Sequence, residues 1–171
     1  MVIDSDLGME YNKIKKGGLE HRSSENVERK ESMFKNILLG VDGSEHALHA
    51  AKVAGELARQ LGSDMWVVAC FDPVPAYLGE PNLQHAVNLR LQQAEEVLAP
   101  ALEEIGKIPG LLRKEILEGP PAEAILNVAQ ARDNDLIIMG TRGRGQLAGL
   151  LLGSQSHKVI THASCPVMLI R

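Results

Sequence analysis

The chain has 171 residues, 44% hydrophobic and 23% charged, with a formal net charge of −4 and a pI near 5.9. An acidic chain with 3% aromatic residues lacks the cationic face that neutralises a phosphate backbone and the stacking platforms that hold unpaired bases, which argues against a nucleic-acid partner. No apolar run reaches the length of a membrane span, no signal segment opens the chain, and the length suits one domain with a substantial core.

Residues 1–32, ending in VERKES, are polar and charged without sustained apolar periodicity, and are expected to form a disordered leader before a domain at 33–171. Met33 is a second candidate start, because VERKES suits a purine-rich ribosome-binding stretch in the gene. FKNILLGV, from Phe34, is a short apolar run that predicts a strand. Ala47, Ala50, Ala51, Ala54, Leu57, Ala58 and Leu61 then recur at helical spacing, with Ser44 as N-cap, Glu45 in the first turn and Gly62 as C-cap. DMWVVACF is continuously apolar, as a strand covered on both faces should be. DPVPAYLGEPN is a proline-rich loop, and a long amphipathic helix is expected from about Leu83 to Ile105.

LLRKEILEG is a more polar strand, placed nearer a sheet edge. PPAEAILNVAQARD is a helix with proline at its start, and NDLIIMG a further buried strand. A glycine-rich loop follows, then a helix expected over roughly Leu150 to Thr161, and CPVMLIR closes as a strand with Pro166 near its beginning. Such alternation predicts an α/β fold: one open five-stranded parallel sheet ordered 3-2-1-4-5, Rossmann-like, with helices on both faces and right-handed crossovers.

In a sheet of that kind ligands sit beyond the carboxyl ends of the strands, where the winding order reverses. The reversal falls between the first and fourth strands, so GVDGS after one and MGTRGRGQLAGLLLGS after the other should face each other. The second loop resolves into Gly140-x2-Gly143-x9-Gly153-Ser154. Gly140 lets the chain turn, Gly143 lets backbone approach an anion without a Cβ, and Gly153, Ser154 and Ser156 offer amides and hydroxyls to phosphate oxygens. Turn geometry and packing alone are the competing account of those glycines. A P-loop is excluded because Gln155, not lysine, neighbours Gly153-Ser154. The dinucleotide fingerprint fails too, since Gly149 comes one residue late after Gly143-Arg144-Gly145 and no acid ends the next strand.

These residues resemble the universal stress protein family, in its ATP-binding branch, whose signature G-x2-G-x9-G-[S/T] is matched throughout. FKNILLGVDGSEHALHAA, DLIIMGTRGRG and CPVMLIR extend the likeness over residues 33–171. The resemblance implies an adenosine site at Asp42 with backbone contact at Val41, a backbone contact to adenine at Cys70, and Met139 and Gly140 along base and ribose. It also implies a triphosphate among Arg142, Gly143, Gly153, Ser154, Gln155 and Ser156, and a homodimer through the last strand, Pro166 to Ile170. Taken alone Asp42 reads equally as a turn residue; opposite the glycine loop the ligand role is favoured, with reach to a Mg²⁺ that accompanies the nucleotide. Cysteine at position 70 departs slightly from the branched apolar residue usual there.

His46 and His49, three apart without a ligand partner at metal spacing, read as solvated surface, and His157 and His162 lie on the last helix without evident partners. Cys70 and Cys165, in apolar stretches, read as reduced core thiols and suggest a cytoplasmic protein. The functional expectation is an ATP-dependent regulator with at most slow hydrolysis, because no water-orienting group accompanies the cradle. The alternative is a dimerising scaffold whose loops are purely structural; its downstream protein partner is not legible in the sequence.

Overall fold

The computed structural model describes residues 33–145 and 152–171. The leader expected over 1–32 lies outside them, as do residues 146–151 of the glycine-rich loop. Five strands, β1 (Asn36–Val41), β2 (Asp64–Phe71), β3 (Leu112–Glu118), β4 (Leu136–Gly140) and β5 (Val167–Ile170), alternate with α1 (Glu45–Leu61), α2 (Asn82–Ile105), α3 (Pro121–Ala131) and α4 (Ser154–His162). The strands form one sheet ordered β3-β2-β1-β4-β5, parallel throughout. That is the order read from the alternation of elements, with the polar strand β3 at an edge.

Central strands are apolar on both faces because both faces are covered. Ile37 and Leu39 of β1 join the core beneath α1 and α2, whereas Leu38 joins the core beneath α3 and α4. Each such fully buried aliphatic side chain contributes about 1.5–3 kcal/mol. The alanine stripe of α1 lets that helix lie close to the sheet. Ser44 accepts from Ala47 N at 3.2 Å, and Gly62 ends the helix in the left-handed region at φ 69°. Where α1 meets α2 the approach is closer still: a Cβ on Gly55 would stand 2.8 Å from the Ile105 Cα.

One boundary differs from the sequence reading. α4 begins at Ser154, not near Leu150. Gly153 is extended at ψ 154°, and its N–H is spent on the Thr141 carbonyl at 2.8 Å. Gly153 therefore closes the loop as the N-cap position and cannot lie within the helix.

Candidate functional site

β1 and β4 are neighbours, with Gly40 opposite Met139, so the segments leaving them emerge side by side. The first segment turns at once. Asp42 Oδ1 accepts from Ser44 N at 3.0 Å, an Asx-type turn, and Gly43 takes φ 76°. The second oxygen reaches across the gap, where Oδ2 accepts from Arg144 N at 3.1 Å. Ser44 Oγ donates to the Arg142 carbonyl at 3.2 Å. One carboxylate and one hydroxyl thus bind the two loops together across nearly a hundred residues of sequence.

This arrangement explains Gly143. A Cβ at that position would run into Asp42 Oδ2, so any side chain must push the carboxylate off its partners. Gly140 is constrained from another side: its Cβ would lie 2.9 Å from the His46 Cβ and 3.0 Å from Ala47 N. The turn off β4 therefore packs directly on the start of α1.

The loop then returns to the sheet. Thr141 N donates to the Ile170 carbonyl at 2.8 Å and Gly153 N to the Thr141 carbonyl at 2.8 Å. Ser156, 3% exposed, donates its hydroxyl to the Gly140 carbonyl at 2.9 Å, which pins the first turn of α4 to the end of β4. Gln155 Oε1 accepts from Ala122 N at 3.1 Å, so its side chain answers an amide in the first turn of α3. No side chain caps α4 itself. The amides of its first turn are left for solvent or a ligand, at the positive end of the helix dipole.

Between these pieces lies a cavity of about 250 Å³, just under the usual size for small-molecule sites, which starts at about 300 Å³. Val41, Ala47, Ile125 and Met139 give it an apolar side, and Arg142, Gly143, Gly153 and Ser154 a side of backbone and cation. Arg142 Nε is buried there without a hydrogen-bond partner among the described residues, and such a group is costly unless something else supplies the acceptor. A flat apolar body with an anionic tail fits both sides. Among the described residues no group of three or more His, Cys, Asp or Glu could hold a metal ion. Any Mg²⁺ would thus depend on the ligand's own oxygens, with Asp42 as the candidate carboxylate.

Val41, Asp42, Met139, Gly140, Arg142, Gly143, Gly153, Ser154, Gln155 and Ser156 all line this cavity. Cys70 does not: it lies one residue beyond the Val41–Ala69 pair and packs with the core beneath α3 and α4. Burial there pushes its thiol up to about 11, and the thiol of Cys165 is also raised by burial, with the Asp135 carboxylate adding to it. Both are free.

Gly40, Ala47, Pro121, Ile125, Arg144 and Gly145 complete the lining and were missed in the sequence. Ala47 read only as helix core, and Ile125 only as the apolar face of α3. Pro121 carried a signal, since it opens the helix that follows the carboxyl end of β3. Of the two histidines of α1 expected at the surface, His46 differs and His49 is exposed. Half-buried His46 shares a 2.8 Å hydrogen bond between Nδ1 and Thr141 Oγ1. His49 Nδ1 lies 2.6 Å from the Arg171 carbonyl, and His162 Nδ1 donates to the Lys158 carbonyl at 2.9 Å.

Comparison with known proteins gives the following. The model of the universal stress protein family matches residues 33–171. A universal stress protein from Thermus aquaticus is 49% identical over 141 residues, covering 81% of this chain and all of that one. The solved structure of a universal stress protein from Lactobacillus plantarum superposes with a TM-score of 0.70 at 26% identity, covering 81% of this chain and 98% of that one. A universal stress protein from Archaeoglobus fulgidus, solved in complex with dAMP, superposes with a TM-score of 0.61 at 24% identity, covering 81% and 99%.

Proposed function

Since the chain belongs to the universal stress protein family, we propose that it is an adenine-nucleotide-binding regulator of that family's ATP-binding branch, with ATP as ligand and at most slow hydrolysis. The observation that carries this reading is the orphaned Arg142 Nε, placed in one cavity with an uncapped helix start and an apolar slot. The Archaeoglobus protein with dAMP shares the fold; the case for this chain rests on its own cavity.

In this reading Val41, Met139 and Ile125 enclose the adenine ring by burying its faces, and Asp42 turns an oxygen toward a ribose hydroxyl. A turn of the Arg142 side chain brings Nε, otherwise shut off from solvent, to donate to a phosphate oxygen, and the first amides of α4 meet the remaining negative charge as helix N-termini do. Gly143 and Gly153 keep side chains out of the path of that tail. Cys70 has no part in the cavity lining, so the adenine contact first expected there is left out. Mg²⁺, where present, travels with the phosphates.

Nothing in the lining orients a water for attack, so hydrolysis should run below about 1 s⁻¹, under the usual range for enzymes. Regulation follows from the stitching of the two loops. A ligand that touches both favours the ordered arrangement and shifts the population toward it, and a partner protein reads that state.

The exposed edge of β5 adds a second element to the proposal. All four of its residues are half-buried and it pairs only with β4 among the described residues, so a second copy would complete the sheet along Pro166 to Ile170. No helix among the described residues is long and apolar enough to cross a membrane, and we place the protein in the cytoplasm.

Titration calorimetry of the purified protein with ATP, ADP and AMP tests the ligand, and mass spectrometry of co-purifying small molecules identifies it independently. Saturable heat with ATP is expected. No heat with any adenylate at millimolar concentration, from folded protein, removes the reading and leaves the scaffold. Phosphate release much faster than about 1 s⁻¹ would make the protein an ATPase instead.

A further inference from the structure

A second cavity, about 390 Å³ in volume, opens on the other side of α3, between that helix and the edge strand β3. Its polar lining is mostly acidic: Glu115 and Glu118 from β3, and Glu123 from α3. Glu115 is the unusual member. Its side chain is only 10% exposed, and among the described residues its one ion pair, to Arg132 Nη2, is long at 3.7 Å and its buried Oε2 has no donor.

The reason lies next door. Arg132 stacks its guanidinium on the Trp66 ring at 4.4 Å from the centroid, and Arg113 lies 5.3 Å from that centroid. Stacking on the ring holds Arg132 away from the carboxylate it would otherwise clasp. A buried carboxylate oxygen left in this state calls for a donor, and a cationic donor meets it best.

We propose that this cavity is a second binding site, for an aliphatic ammonium ligand of the diamine or polyamine class. A turn of the Glu115 side chain brings Oε2, otherwise shut off from solvent, to accept from one ammonium group. The apolar wall of Leu117 and Val128 packs the methylene chain, and Glu123, with the Glu118 oxygen not engaged by Val74 N, faces a second ammonium. A divalent cation fits less well, because no group of three or more ligating side chains among the described residues could hold one. An anion fits worse, with three carboxylates against one guanidinium in the lining. A lysine side chain of another protein offers the same ammonium, and the test separates the two sources.

The site is independent of the nucleotide reading, although α3 walls both cavities, with Ile125 in one and Val128 in the other. The experiment is calorimetry on the full chain without nucleotide, at 150 mM salt so that general attraction to an acidic protein is screened. The probes are 1,4-diaminobutane, spermidine and Nα-acetyl-lysine amide. Two variants accompany the wild type: Glu115→Gln, which keeps shape and removes charge, and Asn127→Trp, which fills the cavity from an exposed position. Saturable one-to-one binding of a polyamine, weakened at least tenfold in both variants with unchanged melting temperature, supports the proposal. Tighter binding of the lysine amide than of either polyamine overturns the free-amine assignment, and binding absent in wild type, or equal in Glu115→Gln, overturns the site. Failure of ATP to bind in parallel removes only the nucleotide reading.

Discussion

Gly143→Ala should be costly for one reason, and that reason can be removed. The new methyl would run into Asp42 Oδ2, so the carboxylate must leave the Arg144 amide, which it accepts at 3.1 Å. Overpacking of this kind costs typically about 1–3 kcal/mol. For a chain of this size each kcal/mol lowers the melting temperature by about 2–4 °C. In an Asp42→Ala background the obstructing oxygen is gone. Gly143→Ala should then be neutral, or stabilising by about 0.4–1 kcal/mol through loss of chain entropy in the unfolded state. Asp42→Ala alone loses one half-buried and one exposed hydrogen bond, which water partly replaces, at about 1–2 kcal/mol. The cycle therefore predicts a coupling of at least about 1 kcal/mol in the direction of rescue. Urea denaturation of the four proteins measures it. Additive penalties would show that Gly143 is not held by Asp42, and the account of the stitched loops would fall with them.

Ser156→Ala leaves the buried Gly140 carbonyl without the hydroxyl that meets it at 2.9 Å, and should cost about 1–3 kcal/mol by urea denaturation. Arg142→Gln should weaken ATP binding at least tenfold by calorimetry, corresponding to about 1.4 kcal/mol or more, with little change in melting temperature because Nε has no protein partner to lose. The Cys70 thiol, raised by burial to about 11, binds its proton more tightly folded than unfolded. Its contribution is fully present below the unfolded thiol value and is lost as pH climbs from about 9 through 11, by up to about 2 kcal/mol. Comparing urea midpoints of wild type and Cys70→Ala over pH 8–11 isolates that slope, and parallel curves would count against a buried thiol.

The cavity was legible wherever backbone freedom itself was the signal. Gly140, Gly143 and Gly153 appear in sequence as glycines at fixed spacing after a strand, and at Gly140 and Gly143 a Cβ would collide with its neighbours. Their partners are less visible. Asp42 reads equally as a turn residue and as a ligand, and the structure uses one of its oxygens to form the turn. His46 looked like surface, since nothing in the helix reveals that Thr141 stands beside it. Cys70 sits just beyond the region where β1 and β2 pair, and a difference of one residue decides whether a strand end reaches a cavity.

By itself the sequence determined the elements, their order and the parallel sheet, because apolar periodicity, caps and glycines act over a few residues each. It also located the glycine loop. Only the tertiary structure decided that Asp42 restrains the second loop, that Arg142 Nε has no acceptor among the described residues, and that Arg132 stacks on Trp66 while meeting the buried Glu115 only at 3.7 Å. Those facts depend on which distant atoms meet and which buried polar groups go unanswered, and such a remainder exists only once the whole chain has packed.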